Sequence, residues 1–136
     1  MIIESIKNFF EACPYLSTGS ININYLGDRA VCYSIDNVEA EPVIKRYCDG
    51  ATLKQFVFKL VLRDIYDENV LRNLKIAQFF EQVEAWISSQ NQKGNLPEIE
   101  GGVPVKLEVT KSGGLNDANI QSGRWQMEIR LVYKEI

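Results

Sequence analysis

The sequence predicts a single α+β domain over residues 1–136: a mostly antiparallel sheet with a short N-terminal helix and one long helix packed on one face. Three observations lead there. The closing stretch "SGRWQMEIRLVYKE" alternates, with Trp125, Met127, Ile129, Leu131 and Tyr133 on one side and Arg124, Gln126, Glu128, Arg130 and Lys134 mostly on the other. "TLKQFVFKLVLRDIY" sets Phe56, Phe58, Leu60 and Leu62 against Gln55, Val57, Lys59, Val61 and Arg63. Val57 and Val61 make that second face half apolar, which places the strand in the middle of the sheet. Val70, Leu71, Leu74, Phe79, Phe80, Val83, Trp86 and Ile87 fill one broad face at helical spacing, the mark of the long helix.

Taken in order, Ile2, Ile3, Ile6, Phe9, Phe10 and Cys13 recur at helical spacing until Pro14 ends the pattern. Ile21, Ile23 and Tyr25 alternate, Gly27-Asp28 is a turn, and Ala30 to Ile35 is a second strand, so residues 20–35 are expected to form a hairpin. Beyond Asp36-Asn37 and Pro42, Val43, Lys45 and Tyr47 suit a short third strand before the Asp49-Gly50 turn. Asp67, Glu68 and Asn69 supply acidic and capping groups for the long helix, and Gly94 closes it after Lys93. The loop "NLPEIEGGVP" precedes a strand from Val105 to Thr110. Lys111 to Gly123, which includes Gly113 and Gly114, has little periodicity and reads as a long loop of functional or mobile character.

Composition narrows the chemistry. Apolar residues make up 46% and charged residues 24%, as in an ordinary globular domain, and no apolar run approaches the ~18 residues of a membrane span. Glu4 and Lys7 interrupt the apolar N-terminus, which fits a folded helix rather than a signal peptide. The net charge of −3 argues against a nucleic-acid grip. Histidine is absent, which removes the commonest neutral-pH acid/base and metal ligand. Cys13, Cys32 and Cys48 have neither zinc-site nor redox spacing and are expected to be buried, reduced thiols.

Local candidates for catalysis have plainer explanations. Glu39 and Glu41 sit beside a proline in a solvated turn, and Cys48 next to Asp49 has no base partner. Ser17 to Ser20 and Ser112 to Gly114 lack phosphate-loop spacing. Lys45, Arg46 and Tyr47 form a short basic-aromatic run flanked by acidic residues, better suited to a charged strand edge that resists aggregation. No catalytic residue, cofactor site or metal site is expected. Trp86 reads as core. Trp125 opens the last strand beside the glycine-bearing loop and is both a core and an interface candidate. The expected subunit or tube interface comprises Arg124, Trp125, Glu128 and Arg130 on the last strand, with Gly113, Gly114, Leu115, Asn116 and Asp117 before it.

The order of "CPYL", "INYLG", "YSID", "EPVIKRYCDG", "QFVFKLVLR", "FFEQVEAWISSQNQKGNLPEI" and "RWQMEIRLVYKE" resembles the tail terminators of long-tailed phages and phage tail-like particles, over Cys13 to Glu135. The resemblance implies a sheet with helices on one side and a virion protein assembled in the bacterial cytoplasm. It implies a ring, typically of six copies, that caps the tail tube, stops its growth and forms the tail side of the head-tail junction. Its partners would be further copies of itself, the tube protein, neck or connector proteins and, in a contractile tail, the sheath. DNA would only pass through the lumen, and no membrane would be involved. Another neck protein, such as a stopper or an adaptor, and a small-ligand-binding protein or enzyme are the rival expectations.

Overall fold

The computed structural model describes residues 2–16, 21–23, 32–65, 70–118 and 122–135. Within them lie two helices, α1 (Ile2–Glu11) and α2 (Val70–Lys93), and six strands. The strands are β1 (Ile21–Ile23), β2 (Cys32–Asn37), β3 (Val43–Arg46), β4 (Thr52–Ile65), β5 (Gly102–Ala118) and β6 (Ser122–Glu135). The α+β class and the two-helix arrangement expected from the sequence are those observed.

Sheet order is β1-β2-β4-β6-β5. β4 is central: β6 pairs antiparallel along its whole length, while β2 and β3 share its other edge, one after the other. Between them the chain stays attached to β4, since Val38 donates to the Val57 carbonyl (3.0 Å) and Gln55 to that of Pro42 (2.8 Å). The Asp49-Gly50 turn joins β3 to β4: Gly50 has φ 90°, and the Asp49 carboxylate accepts from the Ala51 amide at 3.0 Å.

Both helices cover one face. There Tyr33, Ile35, Phe58, Leu60, Leu62, Trp125, Met127, Ile129, Leu131 and Tyr133 meet Ile6 and Phe10 of α1 and Ile76, Phe80, Val83 and Ile87 of α2. Phe10 joins three elements, its ring centroid lying 5.8 Å from that of Trp86 on α2 and 5.9 Å from that of Phe58 on β4. α2 ends in paired capping bonds, Asn95 N–H to the Gln90 carbonyl (3.0 Å) and Gly94 N–H to the Asn91 carbonyl (3.1 Å). Gly94 there has φ 74°, a conformation open to glycine.

Four expectations are corrected. β1 runs parallel to β2, Ile21 opposite Tyr33 and Ile23 opposite Ile35, so residues 20–35 do not form an antiparallel hairpin. Alternation fixes which face a side chain takes and carries no strand direction. Gly27-Asp28, the expected turn, lies outside the described residues with Tyr25, Ala30 and Val31, as do Ser17 to Ser20 and Asp67 to Asn69, the expected helix caps.

Second, Lys111 to Ala118 and Ser122-Gly123 are strand, not loop: β5 extends from Gly102 to Ala118 against β6. Four register shifts, at Pro104/Lys106, Val109/Lys111, Lys111/Gly114 and Leu115/Asp117, explain why. Each extra residue breaks the two-residue period by which a strand is recognised. Third, Val70, Leu71 and Leu74 do not join the packed face of α2 but are 67%, 72% and 60% exposed. Fourth, Cys48 is exposed, whereas Cys13 is buried as expected.

Candidate functional site

The sheet face away from the helices is polar yet closely knit. Val61, in register with Ser34 and Gln126, has no exposed surface, and neither does Ser34. Charged side chains on neighbouring strands hold one another there. The Ser34 hydroxyl donates to Asp36 (2.5 Å), whose other oxygen accepts from Arg124 at 3.0 Å, so this chain of contacts runs from β2 to β6. Arg130 donates to Gln55 on β4 (3.2 Å) and to Glu108 on β5. Glu108 also faces Lys106 at 3.3 Å. Burial pushes the Glu108 carboxyl up, but the hydrogen bonds from Arg130 and Lys106 outweigh it and hold the group below the usual carboxylate range. Glu128 accepts from the Thr110 hydroxyl at 2.8 Å, with Lys111 at 4.0 Å.

These contacts involve three of the expected interface residues. Arg124, Glu128 and Arg130 do share a face, but each is engaged within the subunit. Trp125 is 8% exposed and belongs to the core, which decides between its two readings in favour of core and against an exposed interface residue. It lies on the helix side because β6 keeps unbroken alternation against β4 through the whole strand. Gly113 packs against α2: a Cβ there would stand 2.2 Å from Phe80 Cγ, so the glycine permits a close approach of strand to helix. Gly114 lies opposite Gln126, and Leu115, 47% exposed, lies opposite Trp125. Asp117 follows opposite Arg124, with Asn116 at the shift just before it. A shallow hollow of about 210 Å³ on the polar face brings Lys59, Lys111, Ser112, Gly114, Gln126 and Glu128 together.

The outer edge of β5 is guarded. The Asn91 side-chain amide on α2 accepts from the Leu107 N–H at 2.8 Å and donates to the Leu107 carbonyl, taking the place of a neighbouring strand. Pro104 offers no N–H, and the register shifts bend the strand. Sequence reading missed this clasp. An asparagine near a helix C-terminus carries no signal that it serves a strand.

The most exposed large apolar side chains among the described residues form two groups, set apart along the direction of the long strands. At one end stand Val70, Leu71 and Leu74; at the other Val103 and Val105, each 51% exposed, with Tyr47 at 37%. Tyr47 lies under the Lys45 and Lys134 ammonium groups, both 5.3 Å from its ring. Among the described residues no group of three or more Asp, Glu or Cys is placed to hold a metal, and no helix is long and apolar enough to cross a membrane. Compared with known protein families and with curated proteins, the chain matches none.

Proposed function

We propose that this chain is a structural subunit that caps a phage-type tail tube as a ring, ends tube growth and forms the tail side of the head-tail junction. One observation carries the reading: the stretches that resemble tail terminators are spread over several strands and the long helix. They fall on β2, the β3-turn-β4 unit, the C-terminal part of α2 with its cap, and β6. A resemblance in one motif would speak for that motif alone. One distributed through the central strands and the long helix speaks for the fold as a unit, and the α+β arrangement is the one that resemblance implies.

Purified tail tubes incubated with the protein, then imaged in negative stain, are expected to carry a ring of extra density at one end. Particles assembled without the protein are expected to yield tubes of uncontrolled length. Bare tube ends together with normal tube length would overturn the proposal, and binding to the portal instead of the tube would assign the chain to the head side of the neck.

A further inference from the structure

The ring reading leaves open how copies meet, and the inference drawn here rests on that reading. A ring needs two different patches on each subunit, one meeting the other on the next copy. β6 measures the separation of the two apolar ends. β5 starts at Gly102 opposite Glu135 and ends at Ala118 opposite Gly123. From Glu135 to Gly123 is 135 − 123 = 12 residues, which at about 3.3 Å each is about 40 Å of strand. α2 runs antiparallel to β5, with Asn91 at Leu107 and Phe80 beside Gly113. At about 1.5 Å per residue, Leu71 is level with the last residues of β5. The first two turns of α2 therefore lie over the last residues of β5, and at about 100° per residue Val70, Leu71 and Leu74 are turned away from the face that buries Ile76, Phe80, Val83 and Ile87, which is why they stay exposed.

Charge distinguishes the two ends. Lys75 is exposed beside Leu71 and Leu74 and makes no ion pair among the described residues. Glu98 and Glu100, just before Val103, make none either. The basic groups nearest the valines are engaged, Lys106 with Glu108, Lys54 with Glu135, and Lys134 with Lys45 over Tyr47, while Arg46 on β3, beyond β4 and β6 from β5, makes no ion pair among the described residues. One end thus offers apolar side chains with an uncommitted cation, the other apolar side chains with uncommitted carboxylates. Strand addition at β5 is blocked at Pro104 and Leu107, which leaves side-chain docking.

We propose that copies join head to tail, with Val70, Leu71 and Leu74 seated on Val103 and Val105 of the next copy and Lys75 facing that copy's Glu98 and Glu100. The apolar contact supplies association, and the charges select this pairing over like-with-like contact.

The test is site-directed cross-linking in a Cys48→Ser background, with and without tail tubes, using a short bis-maleimide. The double variant Leu71→Cys/Val103→Cys is expected to give a ladder of oligomers, and each single variant only monomer. Dimer formation by a single variant would mean a two-fold contact and overturn the proposal, as would absence of a ladder from the double variant on tubes. Mixing Leu71→Asp/Leu74→Asp protein with Val103→Asp/Val105→Asp protein should give 1:1 dimers that grow no further, because each retains one working end. Growth beyond the dimer would also overturn it. Circular dichroism verifies that these exposed substitutions leave the fold intact. Tube ends capped without cross-links would refute this interface and spare the tail reading; a ladder without tube binding would do the reverse.

Discussion

Reversing one charge, Arg130→Glu, tests whether the polar sheet face is an internal brace. Arg130 bonds Glu108 and Gln55, and the ion pair's side chains are 30% and 33% exposed. Solvent screening limits the pair to about 1–2 kcal/mol. The substitution also brings two carboxylates together, worth about 2 kcal/mol of repulsion at ~4 Å with an effective dielectric constant of ~40. Rotation of both side chains toward water relieves part of this, so the net loss is about 2–3 kcal/mol, or roughly 6–10 °C in Tm for a chain of this size. Thermal unfolding followed by circular dichroism at pH 7 measures it. Adding Glu108→Arg restores opposite charges and should recover at least ~1 kcal/mol in a double-mutant cycle. An unchanged Tm in the single variant, or no recovery in the double, would refute the brace. The pH dependence follows from the same pair. The folded Glu108 carboxyl is held low, so its stabilisation is fully present above the unfolded value of ~4.3 and is lost as pH falls through the folded value. Glu108→Gln should therefore cost stability at neutral pH and progressively less as pH falls below about 4.3.

Three other substitutions or treatments address the packing. Gly113→Ala should destabilise by about 1–3 kcal/mol because its Cβ meets the Phe80 ring, while Gly114→Ala, with nothing within 4 Å, should be nearly neutral in chemical denaturation; equal effects would contradict the close approach. Asn91→Ala should leave the Leu107 N–H and carbonyl unpaired, costing about 1–3 kcal/mol and speeding amide hydrogen exchange at Leu107; unchanged exchange would remove the clasp. Brief maleimide treatment should label exposed Cys48 and spare Cys13, whose thiol burial pushes up, with peptide mapping as the readout; equal labelling would contradict that burial.

The sequence by itself determined the class of the fold and the inward face of its main strands. Phe58, Leu60 and Leu62 on β4 and Met127, Ile129 and Leu131 on β6 are buried together, because a period of two sets alternate side chains on the same face. Gly94 and Asp49-Gly50 were legible for a similar local reason: positive backbone angles and a side-chain cap are written in the residues that adopt them. Tertiary structure alone decided what depends on neighbours. The direction of β1 is set by its partner strand, the continuation of β5 through its shifts by β6, and the exposure of Val70, Leu71 and Leu74 by which side of α2, that of Ile76, Phe80, Val83 and Ile87, packs on the sheet. The same holds for Arg124 and Arg130, whose outward position could be read from alternation. Their carboxylate partners stand 88 and 22 residues away, and only strand register brings Asp36 and Glu108 to them.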